Sequence, residues 1–134
     1  MQAQAEGVPG CVVLLVDDDP ELLDLVEVLL GMCQCQAVRA ATGGEALPQL
    51  LRAQERGLRP CLILLDLMLP DERGEDVHAR LKAAAAAVPV VIMSASADGA
   101  QRAGRIGVPF LPKPFGIDQL IDTVRAHCPS AQAP

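Results

Sequence analysis

A row of acidic residues, Asp17, Asp18 and Asp19, follows the first apolar run of this 134-residue chain. Asp66 closes another such run, Ser94 a third and Lys113 lies just past a fourth. Carboxylates gathered in one place raise one another's pKa and repel unless a cation joins them. An all-oxygen set suits a hard ion such as Mg²⁺, which keeps several waters and takes one or two carboxylates together with a phosphate oxygen. Lys113 would add a point charge for a phosphate oxygen and Ser94 a hydroxyl donor. Lying between Pro112 and Pro114, Lys113 has a stiff backbone that fixes its direction. The set is suited to phosphoryl transfer, where positioning and charge neutralisation supply most of the catalysis.

Such groups act together only if the scaffold brings the ends of those runs to one place. Residues 11–16 form a short apolar run fit for a strand buried on both faces, after which Asp19 and Pro20 read as helix N-cap and first helical residue. Leu22, Val26, Leu29 and Leu30 then share one helix face, ending near Gly31. A second strand is predicted over 36–40, and Thr42 to Glu45 has the capping-box spacing that opens a helix running toward Gly57. Pro48, beyond the first turn, predicts a kink or a late start there. Residues 61–65 form the third strand, leading into Asp66. Residues 74 to about 87, ending in an alanine run, form a helix stopped before Pro89. The fourth and fifth strands are expected at 90–93 and 108–111, with a weakly amphipathic helix between them. The last helix spans about 116–127, with Ile117, Leu120, Ile121 and Val124 at helical spacing.

Five strands alternating with five helices imply an α/β fold, a parallel sheet covered on both faces, since parallel strands need crossovers. In an open parallel sheet ligands bind outside the carboxyl ends of the strands, where all the groups above fall. One domain over 11–128 is expected, with flexible termini at 1–10 and 129–134.

The runs Leu-Leu-Val-Asp17-Asp18-Asp19-Pro, Leu-Leu-Asp66-Leu-Met-Leu-Pro70, Ile-Met-Ser94-Ala95 and Phe110-Leu-Pro-Lys113-Pro114-Phe115 resemble, in order, the signature segments of response-regulator receiver domains. The resemblance covers residues 11 to about 128. It implies a flavodoxin-like doubly wound sheet of order 2-1-3-4-5, an order borrowed from that family. It also implies two-component signal transduction. Asp66 would be the phosphoacceptor, taking its phosphoryl group from a sensor histidine kinase or phosphotransfer protein. Mg²⁺ would be held by Asp17, Asp18, Asp66 and the backbone carbonyl of Met68, while Asp19 caps the helix. Ser94 and Lys113 would bind phosphoryl oxygens, the Lys113–Pro114 bond would be cis, and Phe110 would turn inward as Ser94 moves. The family signals through the face made by the fourth helix, fifth strand and fifth helix, to a downstream effector or a second copy in a homodimer. Such a domain is no enzyme on a separate substrate; it catalyses only its own phosphorylation and dephosphorylation. Met68 and Ser96 occupy positions that tune water access to the acyl phosphate in this family, and an apolar Met68 predicts slow self-dephosphorylation.

Several residues depart from the family pattern. Leu69 stands where many relatives have Met, and Gly74 comes only after Asp71-Glu72-Arg73, so the loop after Asp66 is altered. The interval from Ser94 to Lys113 is a few residues short and Pro109 precedes Phe110, which shortens the fourth helix or its loop. Two other functions would account for part of this pattern. A phosphorylation-independent interaction module would use the same fold, and the complete acidic set with Lys113 argues against it. A phosphatase resembling the haloacid-dehalogenase type would need Asp-x-Asp, whereas Leu67 and Met68 follow Asp66.

Composition narrows the classes further. Seventeen acidic against eleven basic residues, a net charge of −6, oppose direct nucleic-acid binding. With no Trp or Tyr and only Phe110 and Phe115, the core must be Leu, Val, Ile and Ala. Cys11, Cys33, Cys35, Cys61 and Cys128 are an odd set, expected to be buried thiols in a reducing cytoplasm. Cys33 and Cys35 lack the two-residue spacer of zinc and redox motifs. His78 and His127 are expected on helix surfaces. The charge-free stretch 83–97 is too short for a membrane span, and no signal peptide is visible, so a cytoplasmic, membrane-free protein is expected.

Overall fold

The computed structural model describes residues 11–128. The expected flexible termini lie outside them. The elements alternate without exception: β1 Cys11–Val16, α1 Pro20–Met32, β2 Cys35–Ala40, α2 Gly43–Glu55, β3 Leu62–Asp66, α3 Gly74–Ala84, β4 Val90–Ser94, α4 Gly99–Ile106, β5 Phe110–Pro112 and α5 Ile117–His127. All strand pairs are parallel and the order is β2-β1-β3-β4-β5.

Burial follows strand position. Every residue of β1, β3 and β4 is buried, as their apolar runs require for strands covered on both faces, while the edge strands β2 and β5 are only partly covered. Alternate side chains divide between two cores. Val13, Leu15, Leu62 and Leu64 pack with α1 and α5 through Leu23, Val26, Leu120 and Val124. Leu14, Val16, Ile63 and Leu65 pack with α2, α3 and α4 through Leu50, Val77, Leu81 and Ala103. This period-two division fixes the register, since a slip of one residue would exchange the faces.

Helix starts follow local chemistry. Asp19 caps α1, accepting from the amides of Glu21 and Leu22, with Pro20 in the first turn. Thr42 Oγ1 accepts from the Glu45 amide at 3.2 Å. The late start that Pro48 suggested is not seen: α2 begins at Gly43 and runs through the proline. The Asp71 carboxylate, on the loop after β3, accepts from the amides of Gly43 and Gly44 at 2.8 and 2.9 Å, and so secures that first turn.

Helix ends depart more from expectation. α3 stops at Ala84 rather than continuing through the alanines, because the chain must turn at Ala85, where Val88 N–H bonds its carbonyl, to enter β4. β5 starts at Phe110 rather than Val108, whose amide is taken by the Ala103 carbonyl in closing α4. Gly107, at φ +86°, ends α4 in the left-handed conformation that glycine adopts without penalty. α4 is only eight residues long, as the short interval before Lys113 implied.

Two expectations about burial and cysteine are corrected. His78 is buried, because α3 turns Val77, His78 and Leu81 inward together. His127 is half-buried, its Nδ1 2.9 Å from the Thr123 carbonyl. Only Cys11, Cys33 and Cys35 are free buried thiols; Cys61 and Cys128 form a disulfide. Although 67 residues apart, they sit just before β3 and at the end of α5, with Cα atoms 5.5 Å apart, a separation a disulfide spans.

Candidate phosphoacceptor site

The carboxyl ends of β1, β3, β4 and β5 deliver Asp17, Asp66, Ser94 and Lys113 to one edge of the sheet. Asp17 is held there by its amide, which donates to the Ala40 carbonyl at 3.0 Å, and its side chain is fully buried. Asp66 is 5% exposed and Ser94 1%. The Lys113 amide donates to the Ser94 carbonyl at 2.9 Å, and the Lys113–Pro114 bond is cis.

Lys113 Nζ donates to Asp17 Oδ2 at 2.5 Å and to Asp66 Oδ2 at 2.9 Å. The other oxygen of each carboxylate accepts the amide two residues further on: Asp19 N–H on Asp17 Oδ1 and Met68 N–H on Asp66 Oδ1, both at 2.9 Å. Each carboxylate is therefore anchored at one oxygen by backbone and at the other by the lysine. Asp18 is exposed, yet one of its oxygens lies within 4.8 Å of those of Asp17 and Asp66.

Burial pushes the Asp17 carboxyl above its usual range, as does the charge of Asp66, against the Lys113 and Asp19 hydrogen bonds that favour the ionised form. For Lys113 burial acts to lower the pKa, but hydrogen bonds and charge from Asp17 and Asp66 outweigh it and hold the ammonium form firmly. Three carboxylates face one ammonium, so negative charge remains. The donors are all hard oxygens, and the residues present thus fit a divalent cation such as Mg²⁺.

Ser94 Oγ accepts from the Ser96 amide at 3.0 Å. Ser94 and Phe110 are packed against a residue the sequence did not single out, Gly99: a Cβ there would lie 2.8 Å from Phe110 Cε1 and 3.1 Å from Ser94 Cβ. Phe110 is half-buried against the core under α2, α3 and α4. Gly74 has an equally direct role. Its Cβ would come within 2.5 Å of Leu67 Cα and 2.8 Å of the Asp66 carbonyl, so only glycine lets α3 start against the strand that carries Asp66.

Sequence reading also missed the bracing around the site. Arg102 of α4 holds Glu75 of α3 through both carboxylate oxygens, Nε at 2.6 Å and the second terminal nitrogen at 2.7 Å. Those hydrogen bonds bring the Glu75 carboxyl down to about 2. Asp71 is likewise lowered, by the Gly43 and Gly44 amides it accepts. Open amides at the Thr42-Gly-Gly helix start were the one sequence signal that an anion would be drawn there.

A buried strand-end aspartate, flanked by acidic residues and a conformationally fixed lysine on a 2-1-3-4-5 sheet, defines a receiver-type signalling domain. The chain belongs to the response regulator receiver domain family, whose family model matches residues 13–125. It is 33% identical over 117 residues to the transcriptional regulatory protein KdpE of Mycobacterium tuberculosis, covering 85% of this chain and 49% of that protein. It is 31% identical over 136 residues to the protein PilG of Pseudomonas aeruginosa, covering 97% of this chain and 94% of PilG. The chain thus spans about half the length of KdpE and nearly all of PilG. Among solved structures, the Francisella response regulator 1452 receiver domain aligns with a TM-score of 0.74 at 27% identity, covering 89% of this chain and 97% of that one.

Proposed function

We propose that this receiver domain is a Mg²⁺-dependent phosphorylation switch with Asp66 as the phosphoacceptor. The observation that carries this is the state of Asp66: nearly buried, pinned by the Met68 amide and Lys113 Nζ, and beside the carboxylates of Asp17 and Asp18. A side chain so fixed can attack a phosphorus with little reorganisation. Asp17, Asp18, Asp66 and the Met68 backbone carbonyl would hold the ion, which would neutralise charge on the incoming phosphoryl group. Lys113 and Ser94 would bind its oxygens, so Lys113 must leave at least one of its present carboxylate partners.

The donor would be a sensor histidine kinase or a phosphotransfer protein. Movement of Ser94 would be felt by Gly99, against which both Ser94 and Phe110 pack, and so by α4 and β5. A downstream effector, or a second copy of the chain, would read the change on the α4-β5-α5 face. The setting proposed is the cytoplasm; no helix among the described residues is long and apolar enough to cross a membrane.

The test is intact-mass measurement after incubation with Mg²⁺ and acetyl phosphate, with Asp66→Asn and EDTA controls. Gain of one phosphoryl group that both controls abolish is the expected outcome. A folded protein that gains none from acetyl phosphate or from a phosphorylated kinase would instead be an interaction module with an unused acidic site.

A further inference from the structure

All five cysteines collect at the amino-terminal end of the sheet, opposite the acidic cluster. Cys11 opens β1 and lies in register with Cys35, which opens β2; Cys33 ends α1, Cys61 precedes β3, and Cys128 ends α5. Cys11 Sγ is 3.1 Å from Cys61 Sγ, which is bonded to Cys128. The three sulfurs lie within 4.8 Å of one another. A structural staple needs two sulfurs; this one has a free thiol in contact with it. Phosphoryl transfer at the far edge uses none of them.

We infer that Cys11, Cys61 and Cys128 form a thiol–disulfide exchange site, in which Cys11 attacks Cys61 Sγ and displaces Cys128. The Cys11–Cys61 bond forms as the Cys61–Cys128 bond breaks. The electron pair leaves on Cys128 Sγ, which takes up the proton that Cys11 gave, so no net oxidation occurs. Cys61 is the central sulfur. It is also the accessible one, half-buried where Cys11 and Cys128 are 2% and 0% exposed, so a small thiol or disulfide such as glutathione enters there. From the fully reduced state, the Cys61 thiolate attacks glutathione disulfide and releases one glutathione thiolate. Cys128 or Cys11 then displaces the second. In a cytoplasmic setting disulfides are usually transient and redox-sensing rather than permanent, which agrees with such a site.

The two disulfides hold different parts of the fold. Cys61–Cys128 pins the end of α5 to the start of β3. Cys11–Cys61 links β1 to β3, strands already joined by the Cys61 amide on the Val12 carbonyl at 2.8 Å, and leaves the end of α5 held by packing of Leu120, Ile121, Val124 and the unbonded Cys128. Burial pushes the Cys11 thiol up, with the Cys35 contact acting the other way, so exchange is slow and is best read at equilibrium.

The experiment equilibrates the protein in glutathione redox buffer, quenches with acid, alkylates the free thiols and maps the disulfides. Trypsin with a glutamate-specific protease puts the three cysteines on separate peptides. Wild type should yield Cys61–Cys128 with a minor Cys11–Cys61 species. Cys128→Ser should raise the Cys11–Cys61 peptide at least ~10-fold, and Cys11→Ser should abolish it. Should Cys128→Ser fail to fold by circular dichroism, Cys128→Ala, matched to its apolar surroundings, carries the same expectation. Absence of any Cys11–Cys61 peptide from wild type, or a folded Cys128 variant whose Cys61 ends alkylated or bound to glutathione, overturns the inference.

Discussion

Replacing Lys113 by Met keeps the stem of the side chain and removes the one cation between two buried carboxylates. Asp17 is fully buried and Asp66 nearly so, and each has an oxygen on Lys113 Nζ, at 2.5 and 2.9 Å. Breaking a buried ion pair strands the remaining charge and costs about 3–5 kcal/mol. Here two carboxylates are stranded and repel each other, but relief of the lysine's own desolvation offsets part of that. A loss of about 3 kcal/mol without divalent ion is expected, a fall in Tm of roughly 12 °C for a domain this size. Held as proposed, Mg²⁺ would compete with Lys113 for the same oxygens, and so should stabilise Lys113→Met more than wild type. At an ion concentration 100 times Kd it returns about 2.7 kcal/mol, most of the loss. Urea unfolding of both proteins in EDTA and in Mg²⁺ gives all four stabilities. A Lys113→Met protein as stable as wild type in EDTA, or an equal Mg²⁺ increment in both, would refute the reasoning.

Glu75, whose folded pKa of about 2 lies below the ordinary 4.5, contributes stability that is present above the ordinary value and lost as pH falls toward 2. The pair with Arg102 is partly exposed, so Glu75→Gln should cost only ~1 kcal/mol at pH 7 and nothing near pH 2, read from urea midpoints across that range; a loss that does not change with pH would sink the assignment. Gly74→Ala drives a methyl into Leu67 Cα and the Asp66 carbonyl and should cost at least ~2 kcal/mol in urea unfolding, with slower phosphoacceptance; an unchanged midpoint would show that α3 can shift freely. Met68, though 57% exposed, has its amide on Asp66, and if its side chain shields the acyl phosphate then Met68→Asn should lose phosphate several-fold faster in a timed mass assay. An equal or slower loss would remove Met68 from that role.

Apolar runs of strand length that end in polar residues were legible without any tertiary information, and so was their alternation with helices. Periodicity is a local property, and a strand buried on both faces shows it as an unbroken run such as Val-Val-Leu-Leu-Val. The places of Asp17, Asp66, Ser94 and Lys113 followed, because a parallel sheet with crossovers must put all strand carboxyl ends on one edge. The strand order itself came only from family resemblance, since crossovers of similar length admit several orders. What the sequence could not disclose depends on which distant points the fold brings together. Alanine propensity predicted α3 beyond Ala84, but the entry into β4 ended it. His78 looked like a surface residue until the packing of α3 buried it. Nothing local to Arg102 names Glu75, or to Asp71 the amides of Gly43 and Gly44, or to Gly99 the ring of Phe110. Cys61 and Cys128 meet because β3 begins, and α5 ends, at the same edge of the sheet, a coincidence in space that a separation of 67 residues hides from the sequence.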